Sequence, residues 1–209
     1  MSTLLHIAVS PMGDHSISRG IAGEFVTAWT AAHTDGVVIE RDLAANPVPH
    51  LDAETIFAGY TPAEQRPASQ AVKHDARMVL VNEILGVDEI VISTPMWNWN
   101  VPSVLKAYID QIIVTGVLDG SGADGLRDKK VTFIVSQGGS YAEGAPRYGW
   151  DHQTEYIRLV AAALGAKDIE VILSEFGLAG VAPGMENFLE HKNASIIAAT
   201  EAAKVRAAA

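Results

Sequence analysis

The sequence contains no cysteine among its 209 residues. This absence excludes disulfide bonds, thiolate metal sites and cysteine nucleophiles. No apolar run approaches the ~20 residues that a membrane-spanning helix requires. No basic leader precedes the first apolar segment, so we expect a cytoplasmic protein without a membrane partner. The formal net charge of −10 opposes binding to the phosphate backbone of nucleic acids.

What remains is the composition of a folded domain, with 48% hydrophobic and 19% charged residues. A chain of this length buries a full hydrophobic core and needs no disulfide or metal cross-links for stability. No internal repeat or second core is visible, so we expect a single domain over residues 1–209.

Short β-branched apolar segments alternate with helical periodicity along the whole chain. This alternation predicts an α/β fold in which a doubly wound, five-stranded parallel sheet carries helices on both faces. Strands are predicted at residues 4–9, 37–42, 89–93, 130–135 and 169–173, and helices at residues 17–33, 68–85, 102–113, 150–164 and from 185 onward.

Two details of this pattern carry their own expectations. Residues 46–66 show few apolar repeats and predict a long loop, a kind of segment that is often functional. The periodicity of residues 68–85 predicts one buried helix face, formed by Val72, Met78, Val79, Val81 and Leu85.

Serines cluster between the first predicted strand and the first predicted helix. Ser10 follows the strand, and Ser16 and Ser18 flank Ile17 at the helix start. Their hydroxyls can cap the helix, whose free N–H groups and dipole attract a phosphate. An ordinary N-cap explains the same residues, so this segment alone leaves both interpretations open.

Residues 93–102 form a loop in which two tryptophans alternate with two asparagines between two prolines. Its centre is Met96, Trp97, Asn98 and Trp99. Restricted backbone, flat indoles and side-chain amides suit a planar heteroaromatic ligand with polar edges, such as a flavin. The two indoles could instead contact a partner subunit or belong to the core.

The fourth predicted strand ends in Ser136, Gln137, Gly138 and Gly139. Paired glycines let a backbone approach a ligand closely, although a simple turn uses them as well. Loops after the first, third and fourth strands meet at one edge of a parallel sheet, where ligands bind in such folds. We therefore expect these three loops to form one site.

Other candidate features favour structural roles. The Gly- and Asp-rich residues 115–125 lack the spacing and terminal glutamate of a calcium loop, which favours a solvated connection. No histidine has the spaced partner that a metal site requires, so no metal is predicted. Trp29 and Trp150 are expected to be packing anchors.

Taken together, these segments resemble the FMN-dependent NADH azoreductases, a family of flavodoxin-like, dimeric quinone and azo-dye reductases. The resemblance covers nearly the whole chain. It is carried by Ser10 and by residues 16–18, 42–47, 95–100, 105–110, 136–139 and 151–157.

The resemblance implies a bound FMN and assigns its contacts. Ser10, Ser16, Ile17 and Ser18 would hold the phosphate, Met96, Trp97, Asn98 and Trp99 would border the isoalloxazine, and Ser136, Gln137, Gly138 and Gly139 would close over its other edge. Within these sets, the amide of Asn98 and the backbone of Gly138 and Gly139 are expected to hydrogen-bond the flavin edge.

The implied activity is a two-step reduction. NADH or NADPH would pass a hydride to flavin N5 and leave, and a quinone or azo compound would then take the electrons at the same place. No side chain is assigned as an acid or base. The resemblance also implies a homodimer with the flavin near the subunit boundary.

The sequence departs from the family at the presumed active site. Trp97 and Trp99 stand where members commonly have tyrosine and phenylalanine, and Gln137 stands where some have arginine. Near Leu118 the family tends to place an aromatic residue. These differences concern the acceptor and leave the flavin site intact.

Three alternatives remain from the sequence. A non-enzymatic flavodoxin-type electron carrier shares the fold, the flavin and the acidic charge. A family member specialised for another aromatic acceptor, and a flavin-free α/β binding protein, are the others. Residues 46–66 and the aromatic loop favour a walled substrate pocket over a carrier.

Overall fold

Five parallel strands form the centre of the molecule, in a computed structural model that describes residues 1–121 and 124–209. The strands are β1 (Thr3–Ala8), β2 (Val37–Asp42), β3 (Glu89–Pro95), β4 (Lys130–Ser136) and β5 (Asp168–Ser174). The α-helices of the described residues are α1 (Ile17–Ala32), α2 (Ala53–Tyr60), α3 (Ala68–Leu85), α4 (Ser103–Ile112), α5 (His152–Ala163) and α6 (Leu189–Ala207).

The strand order is β2-β1-β3-β4-β5, and every neighbouring pair is parallel. The chain leaves β1 toward β2 and then crosses back to β3 on the other side, so the winding direction switches between β1 and β3. The predicted doubly wound, five-stranded parallel sheet is confirmed. Its carboxyl edge presents the loops after β1, β3 and β4 side by side.

Alternate residues of each strand enter the core on opposite faces of the sheet. In β1, Leu5 and Ile7 pack in a cluster with side chains of α3, α4 and α5. Leu4 packs in a second cluster with side chains of α1 and α6, including Trp29. Trp29 is 1% exposed, which confirms its predicted role as a packing anchor.

The buried face of α3 differs from the predicted one. Val72 and Val79 are 69% and 63% exposed, so their assignment to the core was wrong, while Val81 is buried as predicted and Met78 and Leu85 pack partly against the core. The residues that face inward are Arg77, Leu80, Val81 and Ile84.

Arg77 explains why α3 buries a different face from the predicted one. Its guanidinium donates hydrogen bonds to the carbonyl oxygens of Gln111 at 2.9 Å and Asp110 at 3.2 Å. These carbonyls belong to the last turn of α4, where no intrahelical donor is available to them. A buried arginine therefore caps one helix from another and fixes the register between α3 and α4.

The predicted loop over residues 46–66 contains α2, so the expectation of an unstructured segment was wrong. The side chain of Asp52 caps this helix by accepting hydrogen bonds from the N–H and hydroxyl groups of Thr55 at 2.8 and 2.6 Å. The buried face of α2 consists of Thr55 and Ala58 only, whereas Phe57 and Tyr60 are exposed. A short helix with such a small buried face produces almost no apolar periodicity.

Gly122 and Ala123 lie outside the described residues, so the expectation of a solvated connection over residues 115–125 stays a prediction there. In the two described stretches, none of the helices combines the length and apolar character needed to cross a bilayer.

Candidate functional site

Backbone hydrogen bonds continue beyond the strands and hold the three loops together. The N–H of Val9 donates to the carbonyl oxygen of Ser93 at 3.0 Å. The N–H of Met96 donates to Ser136 at 2.8 Å, and that of Gln137 to Ser174 at 2.8 Å. The loops after β1, β3 and β4 are thus neighbours, as their positions in the topology predict.

The first loop brings its three serines into the protein and leaves backbone donors free. Ser10, Ser16 and Ser18 are all buried. The Ser16 hydroxyl caps α1 by accepting from the N–H of Arg19 at 3.3 Å, and it lies 3.3 Å from the Ser18 hydroxyl. Within the described chain, the N–H groups of Ile17 and Ser18 have no acceptor. Hydroxyls and free amides at a helix N-terminus form a donor set for an anion.

Arg19 fixes the shape of this loop. Its Nε donates to the carbonyl oxygen of Ser10 at 2.7 Å, and its Nη2 pairs with Oδ1 of Asp42 at 2.7 Å. Burial alone would raise the pKa of Asp42, but hydrogen bonds from Arg19 and from the amides of Ala44 and Ala45 lower it overall. The pair joins the end of β2 to the start of α1 and holds the loop between them.

The second loop contains a tight turn from Trp97 to Asn100. Trp97 and Asn100 exchange N–H to carbonyl hydrogen bonds of 3.0 and 3.1 Å. The two residues between them, Asn98 and Trp99, have φ angles of +49° and +65°. Asparagine tolerates this left-handed conformation, but a tryptophan in it costs about 1–2 kcal/mol. Such local strain concentrates at functional sites.

Contacts from the loop before α5 hold the strained turn in place. The carbonyl oxygen of Trp99 accepts from the N–H of His152 at 3.1 Å. The Trp99 and Trp150 rings meet edge to face with centroids 5.3 Å apart, and the Arg147 guanidinium lies over Trp150. Trp150 is 48% exposed, so its prediction as a packing anchor was wrong. It supports Trp99 at the surface.

Both tryptophans of the turn remain accessible. Trp97 is 42% exposed and Trp99 is 39% exposed. Neither belongs to the core clusters. They stand as flat apolar surface at the carboxyl edge of the sheet.

The third loop begins with a buried glutamine. Ser136 is half-buried and Gln137 is buried. The Nε2 of Gln137 donates to Oδ2 of Asp151 at 2.7 Å, while Oδ1 of Asp151 caps α5 by accepting from the N–H groups of Gln153 and Thr154. Gln137 therefore ties this loop to the start of α5.

Gly138 and Gly139 play different parts. A Cβ atom at Gly138 would lie 2.8 Å from Cδ1 of Leu178, whereas nothing lies within 4 Å of a Cβ at Gly139. The N–H of Leu178 donates to the Gly138 carbonyl at 3.0 Å. Among the described residues, the N–H groups of both glycines have no acceptor. Gly138 thus permits close packing, and Gly139 keeps an open backbone surface.

Three further residues shape the site and were not predicted from the sequence. Gln153 is fully buried, and its Nε2 donates to the carbonyl oxygen of Pro95 at 3.1 Å. Its Oε1 has no partner in the described chain. Arg19 and Asp42 are the other two. An aspartate before a predicted helix would have indicated Asp151 as a cap. Asp42 and Gln153 lie in segments that carry the family resemblance, but the sequence does not indicate their contacts with Arg19 and Pro95.

The donors and surfaces of the three loops match the two parts of a nucleotide-like ligand. Serine hydroxyls and free backbone amides offer hydrogen-bond donors to an anion. The amide of Asn98, the free N–H groups of Gly138 and Gly139 and the indole surfaces offer polar contacts and stacking to a flat ring. In the part of the chain that is described, no group of three acidic, histidine or cysteine side chains could hold a metal ion.

Comparison with known families agrees with this geometry. The sequence model of the family described as "Flavodoxin-like fold" matches residues 2–199. An FMN-dependent NADH:quinone oxidoreductase of Frankia casuarinae is 45% identical, with 99% of each chain covered. A protein of the same name from Nostoc sp. is 41% identical over 84% of this chain and 87% of its own.

Solved structures share the fold. An azoreductase of Bacillus anthracis has a TM-score of 0.86 at 22% identity and covers 100% of this chain and 99% of its own. An FMN-dependent NADH-azoreductase of the same species, in complex with FMN, has a TM-score of 0.81 at 20% identity and covers 99% and 100%. At these identities the likeness concerns the fold alone. From the sequence relationship, the chain belongs to the family of the FMN-dependent NADH:quinone oxidoreductases, with a flavodoxin-like fold.

Proposed function

We propose that this protein is an FMN-dependent NADH:quinone oxidoreductase that also reduces azo compounds. The observation that carries the proposal is the meeting, at one sheet edge, of an anion donor set at α1 with an exposed aromatic turn and an open glycine backbone. A phosphate and a flat ring fit this edge together. The names of the relatives specify FMN, NADH and a quinone acceptor, and azo compounds are added from the resemblance to the azoreductases.

The proposed contacts follow the three loops. The phosphate of FMN would be held by Ser10, by the hydroxyls of Ser16 and Ser18, and by the free N–H groups of Ile17 and Ser18. Met96, Trp97, Asn98 and Trp99 would border the isoalloxazine, and Ser136, Gln137, Gly138 and Gly139 would line its opposite edge. Support comes from the unpaired N–H groups at both ends of this arrangement.

When bound, FMN supplies hydride acceptance from NADH and electron transfer to the acceptor. The protein residues bind, orient and shield. The carboxylate of Asp151 is engaged by Gln137 and by the α5 amides, so it serves to position the loop after β4 and the start of α5. No side chain of the site is assigned as an acid or base.

The acceptor would be a flat aromatic compound. The indoles of Trp97 and Trp99 offer a wider stacking surface than smaller aromatic side chains. The amide of Gln137 is buried and turned to Asp151, so it adds no charge to the acceptor's side. These features favour uncharged quinones and azo compounds whose rings are held by stacking.

We also propose three properties of the whole protein. Residues 1–209 would form one FMN-binding domain, because both core clusters share the single sheet, and one cooperative unfolding transition would test it. Exposed apolar side chains around the site, including Trp97 and Trp150, support a homodimer, which the mass in solution would test. A cytoplasmic location, where NADH is supplied, would be tested by cell fractionation.

One anaerobic experiment distinguishes the proposed reductase from a non-enzymatic electron carrier. The purified protein is loaded with FMN and mixed with NADH without oxygen. For a reductase, the visible flavin absorption bleaches and returns when a quinone or an azo dye is added. A flavin that stays oxidised in NADH would establish the carrier, and a protein that does not bind FMN would remove both.

The role of Asn98 can be tested without breaking its turn. Asn98→Gly retains the left-handed conformation and removes the side-chain amide. One lost hydrogen bond to the ring predicts a roughly tenfold weaker FMN affinity, measured by fluorescence titration, together with slower turnover. Asn46→Gly, at an exposed position with no described side-chain hydrogen bond, is the control. Unchanged FMN retention and turnover in Asn98→Gly would remove Asn98 from the site.

A further inference from the structure

A second pocket lies on the α4 side of the Trp97–Asn100 turn. Its volume is about 480 Å³, and it opens between this turn, the start of α4 and the side of α5. It is separate from the loop after β1 that carries Ser10, Ser16 and Ser18 (the serine loop) and from the loop after β4 that carries Gly138 and Gly139 (the glycine loop). The side chains that line it include His50, Trp97, Asn98, Ser103, Lys106 and Tyr156.

The polar groups of this pocket are available to a ligand. Among the described residues, the side chains of His50, Ser103 and Tyr156 have no hydrogen-bond partner in the pocket. Lys106 pairs with Asp110 one helical turn away, at 2.5 Å. An ammonium group has three donors, so Asp110 holds Lys106 in position and leaves donors for a second anion.

The pocket also offers aromatic surface. The indole of Trp97 forms one wall, and the ring of Tyr156 belongs to another. A cation, hydroxyls and aromatic faces in one pocket suit a ligand that combines phosphate with a heteroaromatic base. On a chain with a net charge of −10, such a ligand needs a local positive charge.

The electron donor needs a second place to bind. The nicotinamide of NADH must reach the flavin ring, which the proposed function places beside Trp97 and Asn98. The rest of the molecule carries two phosphates and an adenine. The serine loop cannot hold them because the phosphate of FMN occupies it. The pocket shares Trp97 and Asn98 with the proposed site of the isoalloxazine ring (the ring site), so the two sites adjoin each other.

We propose that this pocket binds the ADP half of NADH. Lys106 and Ser103 contact the diphosphate, and the rings of Trp97 and Tyr156 contact the adenosine. The inference rests on the proposed function and deepens it. It also explains how one open flavin face serves two substrates, since quinones and azo compounds have no counterpart of the ADP half.

The test compares two donors. NADH carries the ADP half, and 1-benzyl-1,4-dihydronicotinamide has the same reacting ring without phosphate or adenine. For Lys106→Met, loss of one charge-assisted hydrogen bond predicts a roughly tenfold higher KM for NADH. The KM for the benzyl donor and the KM for the quinone stay the same. Lys106→Arg keeps the charge and restores most of the NADH affinity.

A binding measurement accompanies the kinetics. Isothermal titration of the FMN-loaded protein with ADP-ribose measures the pocket without turnover, and Lys106→Met is expected to weaken the Kd by about the same factor. Lys204→Met is the matched control, because Lys204 is also a helix lysine in ion pairs, with Glu24 and Glu201. It should change neither KM nor Kd. FMN content of each variant verifies the fold.

The outcomes separate this inference from the proposed function. Equal changes for both donors, a change in the quinone KM alone, or no binding of ADP-ribose to the wild-type protein would each overturn the ADP pocket. Reduction of the flavin by both donors would still stand in those cases. If neither donor reduces the flavin of the wild-type protein, the proposed function itself is wrong.

Discussion

The two edges of the sheet treat their polar groups in opposite ways. At the carboxyl edge, N–H groups of Ile17, Ser18, Gly138 and Gly139 have no acceptor within the described chain. Contacts behind them, such as the partly exposed ion pair of Arg19 with Asp42, hold the loops in place. At this edge the described residues therefore leave backbone N–H groups without hydrogen-bond acceptors.

At the amino edge, polar side chains bind the protein itself. Asp88 accepts hydrogen bonds from the N–H and the hydroxyl of Thr3, both at 2.8 Å. The ammonium group of Lys129 donates to the carbonyl oxygens of Leu85 and Val87. These contacts close the ends of α3 and β1 and leave little for a ligand.

Glu89 is the exception at the amino edge. It is 5% exposed, and its Oε2 accepts from Nε1 of Trp29 at 2.9 Å. Its Oε1 has no partner among the described residues, and burial raises the pKa of its carboxyl group. Among the described residues, the donors without an acceptor thus lie at the carboxyl edge, where they are available to a ligand, whereas the unpaired Glu89 oxygen at the amino edge lowers stability.

The largest effect is expected at Ser16. Aspartate caps a helix as well as serine and favours its dipole, so Ser16→Asp should change the unfolding free energy by less than about 1 kcal/mol. Its carboxylate would face the phosphate of FMN, and repulsion at short range should weaken FMN binding by at least about 100-fold. Fluorescence titration measures the affinity.

Riboflavin supplies the control for Ser16→Asp because it lacks the phosphate. Its affinity should be equal in the variant and the wild-type protein. A parallel loss of riboflavin binding would mean that the substitution disturbs the ring site, and unchanged FMN binding would remove Ser16 from the phosphate site.

A smaller effect is expected at Glu89, where a substitution should raise stability and leave FMN binding unchanged. Glu89→Gln removes a buried charge and should raise the unfolding free energy by about 1–2 kcal/mol at pH 7, with FMN affinity unchanged. The raised pKa means that the folded state prefers the protonated acid. The destabilisation of the folded wild-type protein by the Glu89 carboxylate therefore grows as the pH rises above the ordinary pKa of 4.5. It is absent in more acidic solution, where the group is protonated in both states.

Urea unfolding at a series of pH values measures this effect. The stability difference between Glu89→Gln and the wild-type protein should shrink to nothing as the pH falls below about 4. A difference that is the same at pH 4 and pH 7 would show that lost charge is not its cause.

The smallest effect is expected at Asp42, with the reverse pH dependence. Its lowered pKa means that the charged form stabilises the fold above the ordinary value of 3.8 and that this contribution is lost as pH falls through the folded value. Because the pair with Arg19 is partly exposed, Asp42→Asn should cost about 1 kcal/mol at pH 7. The same unfolding series should show the cost disappearing in acid, and a cost that persists there would contradict it.

The sheet and the meeting of the loops could be predicted because both follow from local patterns. Short β-branched runs between helical segments allow few arrangements other than a parallel sheet, and the carboxyl ends of its strands necessarily share an edge. Asp42 shows the limit. Its partner Arg19 lies 23 residues earlier, and only the completed sheet brings the two together.

The errors have a common physical origin. Val72 and Val79 obey helical spacing as well as the true buried residues do, and the choice between the two faces was made by Arg77, whose guanidinium meets the end of α4. Helix α2 buries only Thr55 and Ala58. Apolar periodicity records neither polar capping nor small-residue contacts, so it missed both.

The left-handed turn at Asn98 and Trp99 sets how this protein can be re-engineered. At position 99, a combinatorial library will enrich glycine and asparagine for backbone reasons whatever the intended dye or quinone. Trp97 is the first residue of the turn, lies outside the left-handed region and is free of that bias. Libraries aimed at a new acceptor should therefore randomise position 97 and leave Asn98 and Trp99 unchanged.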